Sequence, residues 1–253
     1  MEKRPILIQG AIDIEINYLK EILKEKEEIE IGTYKFYTGY INDYPVIVSK
    51  TKIGQTNAGA STSIAILKYN PIMIINQGTA GGHGKNIHKG DLIIGKDYMN
   101  LTAFRIERRE EGSGSDLAGW KMRAFYTDSQ HHIYNVADMR LVDIAYGLKR
   151  RYRMGNVFQG RIASGEIWNR ESDRIMYIYK KYGTLCEEME TGAVYTIAKN
   201  FDIPVLGIRV ITNNEVLKET YDKDFAKQLA EKCQQYVEKI VEKWIENIDE
   251  FKV

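Results

Sequence analysis

Two glycine-rich segments are the first places where this sequence could do chemistry, since closely spaced glycines let backbone amides cradle a phosphate. One is GAIDIE at residues 10–15, and the other is GTAGGHGK at residues 78–85. The first lacks the further glycines of a dinucleotide-binding fingerprint, and the second lacks the lysine followed by serine or threonine of a P-loop. Neither predicts a nucleotide-phosphate site, and the second on its own favours a tight connection after a strand.

Carboxylates cluster at two distant places in the chain. Asp13 and Glu15 follow the first glycine, and the run EEME at residues 187–190 precedes a stretch of small residues. An acid at the start of a helix is stabilised by the helix dipole, and a carboxylate on an amphipathic helix is commonly solvated. Residue type alone therefore leaves both clusters open between a structural and a chemical role.

The elements that must position these residues follow from the hydrophobic spacing. A strand, a glycine turn and a helix are predicted at the start of the chain, and a turn signal at Asn42-Asp43 predicts an antiparallel hairpin over residues 30–49. Further buried strands are predicted at residues 71–77, 92–98, 156–163 and 204–211. Helices are predicted at residues 12–23, 56–67, 138–152, 171–182 and 188–200, with a long terminal helix from residue 222.

Strands that alternate with helices indicate an α/β fold, with a mixed, mostly parallel sheet covered by helices on both faces. No linker or repeat divides the sequence, so we expect one domain over residues 1–253. The segment 105–124 is rich in charge and glycine, unlike the core. It is predicted to be a surface excursion from this domain.

The composition limits the kinds of partner. Of the 253 residues, 36 are lysine or arginine and 35 are aspartate or glutamate, so the basic field that drives binding to nucleic acid or membrane surfaces is missing. A small neutral ligand fits better. Cys186 and Cys233 are far apart, and the histidines lack metal-ligand spacing, so no metal site is predicted. With no signal peptide or membrane span predicted, we expect a cytoplasmic protein.

Three separated strings carry a family resemblance: QGAIDIE, then INQGTAGG with KGDLIIG, then EEMETGAVYTIAKNFDIPVLGIRVIT. Together they resemble the purine nucleoside phosphorylase and nucleosidase superfamily, most closely its methylthioadenosine/S-adenosylhomocysteine nucleosidases. The order and spacing match from about Ile6 to Trp244. The resemblance implies a nucleoside phosphorylase-like three-layer sandwich, a purine nucleoside as ligand, no cofactor, and a homo-oligomer, with a dimer favoured.

Enzymes of this superfamily break the bond between purine N9 and ribose C1′, which builds positive charge on the sugar and negative charge on the base. The sugar must be held, a nucleophile placed beneath C1′, and the base protonated or hydrogen-bonded at N7. For the sugar, the resemblance implies that Glu190 binds the ribose hydroxyls and that Met189 packs under the ring. It also puts Glu188 and Gly81 among the substrate-binding residues.

For the nucleophile, the resemblance implies that Glu15 orients and deprotonates a water molecule, with Thr79 and Arg209 completing the water's surroundings. Bacterial phosphorylases of the superfamily instead carry arginines for phosphate, in the first glycine loop and two residues before the central glycine. Here those places hold an acidic run and Asn76. Because a phosphate dianion beside Glu15 would be repelled, water is the expected nucleophile.

Two aromatic residues fall where the family stacks the base and covers the ribose. These are Phe104 in NLTAFR and Trp168 in SGEIWN. A neutral purine binds well between aromatic rings, so both are predicted to contact substrate, although either residue type also suits a core.

The base position departs from the family pattern. These nucleosidases have an aspartate after RAIS to protonate N7, but this chain reads RVITNN, so Asn213 stands in its place. An amide cannot deliver a proton, although it can donate a hydrogen bond to N7 while its oxygen accepts one from an exocyclic amine. It can equally face a 6-oxo group, and Glu215 is a candidate for the missing acid.

We therefore expect hydrolysis of a 5′-modified adenine nucleoside to free base and sugar. Asn213 keeps open a 6-oxopurine enzyme, either a futalosine-type hydrolase or a purine nucleoside phosphorylase. A nucleoside-binding protein that has lost turnover is the alternative from outside the enzymes. The sequence does not fix the 5′ substituent.

Overall fold

The structure is a computed structural model that describes residues 3–116, 119–122 and 136–248. Within these ranges the chain forms eleven strands and six α-helices. The strands are β1 (Ile6–Gly10), β2 (Lys24–Ile31), β3 (Tyr34–Ile41), β4 (Tyr44–Lys50), β5 (Met73–Gly82), β6 (Leu92–Asn100), β7 (Phe104–Arg105), β8 (Lys121–Met122), β9 (Val157–Ser164), β10 (Thr184–Glu188) and β11 (Val205–Asn213). The helices are α1 (Asp13–Ile22), α2 (Gln55–Tyr69), α3 (Met139–Gly147), α4 (Ser172–Tyr182), α5 (Thr191–Asn200) and α6 (Lys223–Glu246).

Nine strands form one mixed sheet in the order β10-β9-β6-β11-β5-β1-β4-β3-β2. Strand β5 lies between β1 and β11 and runs parallel to both, while its far end also pairs antiparallel with β10. The sheet therefore curls at this end, so that β5 meets β10 on one side and β11 on the other. This junction positions the site.

Apolar runs explain the centre of the sheet. All of β1 and almost all of β11 are buried, as expected for strands covered on both faces. Helices α1, α3 and α6 pack together on one face, and α2 packs with α5 on the other. The α/β fold with a mixed sheet between helices, predicted from the sequence, is confirmed.

Three strand assignments differ from the sequence prediction. Strand β2 was not predicted because its sequence, KEKEEIEI, belongs to an exposed antiparallel edge with little apolar signal. Strand β10 was not predicted either: the helix expected from residue 188 begins at Thr191, because Glu188 still pairs with Ser164 in the sheet. The glycine-rich connection is likewise a strand, since β5 continues through Gly82.

The short strands β7 and β8 lie near the two ends of the charged segment and pair with each other, separately from the main sheet. Residues 105–116 are exposed, whereas residues 117, 118, 123 and 124 lie outside the described part of the chain. The extent of the predicted excursion thus stays a prediction. In the described ranges, no helix is both long and apolar enough to cross a membrane.

Candidate active site

A cavity of about 190 Å³ lies where β5 meets β10 and β11. Eight of the ten residues predicted from the sequence line it: Glu15, Thr79, Gly81, Trp168, Glu188, Met189, Glu190 and Asn213. They come from the first helix, the central strand and the last third of the chain. The fold therefore brings together carboxylates from the beginning and from the last third of the chain.

Glu15 lies in the first turn of α1 and is almost fully buried. Its Oε1 accepts hydrogen bonds from the Thr79 backbone amide at 2.8 Å and the Thr79 hydroxyl at 2.9 Å. Its Oε2 accepts from the Ala11 amide at 2.8 Å and the Ile12 amide at 3.4 Å. These donors fix the carboxylate as an acceptor at the cavity wall, the form required of a base.

Gly78 makes room for that carboxylate. A Cβ at this position would lie 2.8 Å from Glu15 Oε1 and 2.9 Å from Glu15 Cδ, closer than van der Waals contact permits. Any larger residue would displace the carboxylate from the Thr79 amide. The glycine is therefore required by the close approach of β5 to α1.

Glu190 lies directly before α5, and its Oε1 accepts a hydrogen bond from the Gly54 amide at 2.8 Å. Burial, followed by the negative charges of Glu188 and Glu15, raises its pKa to about 8. A buried carboxylate with this pKa binds best to something that supplies hydrogen-bond donors or positive charge. A ribose ring that becomes cationic supplies both.

Arg209 lies behind the cavity rather than in its wall. The fully buried guanidinium contacts Glu188 through Nε at 3.2 Å and Nη2 at 2.5 Å, and it also binds the Asn76 carbonyl at 2.9 Å. Burial alone would raise the pKa of Glu188, but Arg209 holds it below its ordinary value. Glu188 in turn accepts the Glu190 amide at 2.9 Å. Arg209 was expected to complete the surroundings of the water, but it contacts Glu188 behind the cavity wall instead.

Of the two aromatic residues that were predicted to contact substrate, one lines the cavity and the other does not. Trp168 lines the cavity, is 71% exposed, and meets Tyr221 edge-on with ring centroids 6.3 Å apart. Phe104 does not line the cavity but stacks obliquely on Trp120 at 5.7 Å. The expectation that Phe104 contacts the base is therefore not met within this chain, because β7 leads it away. Tyr221, which precedes α6, carried no sequence signal.

Asn213 ends β11 with its amide at the cavity. Its Oδ1 accepts from the Thr212 hydroxyl at 3.3 Å, and its Nδ2 donates to Glu215 at 3.4 Å. Glu215 is absent from the cavity lining and pairs with Arg170, at 3.3 Å. Glu215 therefore contacts Asn213 and Arg170 and does not face the cavity where the missing acid would be needed.

Sequence reasoning overlooked a second buried polar group at the cavity. Glu187 lines it, and its Oε2 is 3.2 Å from both His83 Nε2 and Asn169 Nδ2. His83 is fully buried, and its Nδ1 is 2.8 Å from the Thr184 hydroxyl. Alternation along β10 and β5 could have shown that Glu187 and Gly81 share a face.

Among the described residues, the charged side chains that line the cavity are all acidic. Four carboxylates line it, from Glu15, Glu187, Glu188 and Glu190, while no lysine or arginine is part of the lining in the described portion of the chain. No group of three or more metal-ligating side chains is found in the same ranges. Such a cavity attracts a developing cation and repels an anion.

Known proteins with related sequences and structures share this arrangement of strands. The family profile of the phosphorylase superfamily matches residues 5–242. The chain is similar to a 5′-methylthioadenosine/S-adenosylhomocysteine nucleosidase of Geobacillus sp. strain WCH70, with 30% identity over 213 residues, covering 82% of this chain and 84% of the relative.

Two solved structures show the same fold. The Neisseria meningitidis 5′-methylthioadenosine/S-adenosylhomocysteine nucleosidase, in complex with methylthio-immucillin-A, superposes with a TM-score of 0.79 at 24% identity, covering 94% of this chain and 98% of that one. The Helicobacter pylori futalosine hydrolase gives a TM-score of 0.80 at 21% identity, covering 95% and 98%.

Proposed function

Because this chain belongs to the phosphorylase superfamily, and within it to the 5′-methylthioadenosine/S-adenosylhomocysteine nucleosidases, we propose that its cavity hydrolyses the N-glycosidic bond of a 5′-modified adenine nucleoside. The products are free base and sugar. One observation carries the proposal: Glu15, near the beginning of the chain, and Glu190, in its last third, line one cavity.

In this proposal the two carboxylates act on one sugar, one on its hydroxyl groups and the other on the water that attacks it. Glu190 accepts hydrogen bonds from the ribose hydroxyls; these donors and the positive charge that develops on the sugar favour its ionised form, which stabilises the oxocarbenium-like transition state. Glu15 takes a proton from the water whose oxygen attacks C1′. Met189 packs against the ribose, and Trp168 covers the substrate at the exposed side of the cavity.

The base leaves with the electron pair of the C1′–N9 bond. Asn213 donates a hydrogen bond from Nδ2 to purine N7, which stabilises the negative charge but supplies no proton. Solvent must then protonate the base. We therefore expect slower turnover than a site with a general acid would give, since such an acid typically contributes about 10²–10⁴ in rate.

The charge of the cavity supports water over phosphate as the nucleophile. Glu15, the proposed base, lines the cavity, and within the described ranges no basic side chain lines it to offset a phosphate dianion. The buried Arg209 guanidinium is already paired with Glu188. Its charge is therefore neutralised within the protein.

Chromatography of reaction mixtures tests the proposal. Purified protein is incubated with 5′-methylthioadenosine or inosine, with and without phosphate, and free base, methylthioribose and sugar phosphate are measured. We expect base and free sugar without phosphate; base release that requires phosphate would reject hydrolysis.

Glu15→Gln should lower kcat by at least about 10²-fold. Glu21→Gln, on the exposed side of the same helix, is the matched control.

We also propose a cytoplasmic homodimer. Both cysteines are buried and free, which suits a reducing compartment, and burial raises the pKa of both thiols. Ile53, Trp168 and Tyr221 expose apolar surface at the edge of the cavity, where a second subunit could cover them. Light scattering of the purified protein distinguishes a dimer from a monomer or a trimer.

A further inference from the structure

Glu187 and Asn213 face the same point of the cavity from two sides. In the sheet, Gly81 of β5 is paired with Glu187 of β10 and with Asn213 of β11. A Cβ on Gly81 would lie 3.6 Å from Asn213 Nδ2 and 3.9 Å from Glu187 Cγ. Because the glycine has no side chain, the Glu187 carboxylate and the Asn213 amide border the cavity on either side of it.

The Glu187 carboxylate is held as a hydrogen-bond acceptor. Oε2 is within 3.2 Å of two nitrogens, His83 Nε2 and Asn169 Nδ2. A carboxylate oxygen accepts from an N–H group, so this geometry fits a His83 ring that donates from Nε2 and accepts from the Thr184 hydroxyl at Nδ1. Among the described residues nothing donates to Oε1, which leaves that oxygen for a ligand.

We infer that Glu187 selects 6-aminopurines over 6-oxopurines, with His83 and Asn169 as its positioning residues. The inference rests on the proposed function, in which Asn213 donates to N7. The next group along that purine edge is the substituent at C6. An amine there donates to Glu187, whereas a 6-oxo group would bring its oxygen against a carboxylate. A donor at N7 and an acceptor at C6 together match adenine.

The opposite orientation of the purine in the cavity predicts the opposite preference at C6. If the purine turned its N1 edge to Glu187, the N1–H of a 6-oxopurine would donate to the carboxylate, while the N1 lone pair of adenine would be repelled. Substrates that differ only at C6 therefore separate the two orientations, whether or not hydrolysis is fast.

The experiment compares 5′-methylthioadenosine with 5′-methylthioinosine on wild-type protein and on Glu187→Gln. We expect the wild type to favour the 6-amino substrate by at least about 10²-fold in kcat/KM, because an acceptor facing a 6-oxo group leaves both unsatisfied. The glutamine amide can donate to a 6-oxo group, so the ratio should fall at least about 10-fold. Asn169→Ala should lower the ratio less, with Glu187 still held by His83.

The matched control is Glu219→Gln, which removes the carboxylate of a second glutamate–histidine pair, 2.8 Å from His88 and outside the cavity lining. It should leave the ratio unchanged. A wild type that prefers the 6-oxo substrate, or a Glu187→Gln variant that slows both substrates equally, would overturn the inference. Calorimetric binding of adenine and hypoxanthine gives the same comparison without turnover, so failure of hydrolysis and failure of base selection are read separately.

Discussion

At the scale of single residues, we expect Asn213 to limit the rate of the proposed reaction. It presents an amide at the cavity where the proposed reaction benefits from an acid. Asn213→Asp should raise kcat on 5′-methylthioadenosine by at least about 10-fold, because a carboxylic acid can protonate N7 as the base leaves. The gain should be largest at low pH, where the new acid is protonated.

Steady-state rates from pH 5 to 8 measure this effect, and Asn213→Ala, which can neither donate to N7 nor protonate it, should fall below the wild type. Unchanged or lower activity of the aspartate variant on adenine nucleosides would mean that residue 213 does not face N7.

Glu190 makes stability depend on pH. Burial and the neighbouring carboxylates raise its pKa to about 8 in the folded state, above the ordinary value of a glutamate. Between those two pKa values the folded chain holds a proton that the unfolded chain has lost, so stability is fully present below the unfolded pKa and falls as the pH rises towards 8.

Urea unfolding of wild type and Glu190→Gln at pH 5 and pH 8 tests this dependence. The glutamine variant cannot ionise at this position, so its free energy of unfolding should decrease less between the two pH values. Equal decreases in the two proteins would show that Glu190 does not carry the effect.

At the scale of elements, the approach of β5 to α1 depends on one glycine. Gly78→Ala should lower kcat at least about 10-fold, because the new methyl group displaces the Glu15 carboxylate and a misplaced base loses its geometry. The fold should persist, since the displaced atoms end a side chain. Gly59→Ala in α2 is the control: its Cβ would lie 3.6 Å from Ala193, an ordinary contact, and activity should not change.

Helix α6 holds α1 in place through a buried glutamine. Gln234 Nε2 donates to the Ile14 carbonyl at 2.7 Å, and its Oε1 accepts from the Leu19 amide at 3.3 Å. Gln234→Leu removes both bonds and should cost about 1–2 kcal/mol in free energy of unfolding, with a loss of kcat through Glu15. The same substitution at the neighbouring Gln235, whose amide is hydrogen-bonded to Glu231 and Lys232 within α6, should affect neither.

At the scale of the whole molecule, ligand binding should be visible as stabilisation. A non-hydrolysed adenine nucleoside analogue at about 100 times its Kd should add roughly 2.7 kcal/mol, which corresponds to a rise in Tm of about 5–10 °C for a chain of this size. Differential scanning fluorimetry measures it. Uridine should give no shift, and an equal shift with uridine would argue against a purine site.

The sequence predicted the overall architecture and most of the cavity because apolar runs and carboxylate clusters are local signals. Glu15 and Glu190 were recognisable from the family strings. The Glu187 site was not, because His83 joins it only when β10 crosses the end of β5, and β10 itself was taken for the start of a helix. Arg209 was identified, but only the folded chain shows that it acts through Glu188.

The contact between the first and last helices also sets when the protein can become active during synthesis. Every described residue that lines the cavity has been translated once the ribosome passes Tyr221, yet the helix that carries Glu15 is held by Gln234 and by a hydrogen bond of 2.7 Å from Tyr18 to Glu238. A nascent chain whose last helix is still inside the ribosome therefore contains these cavity residues but lacks the helix that holds Glu15 in position. Catalysis should begin only after the last helix has left the exit tunnel.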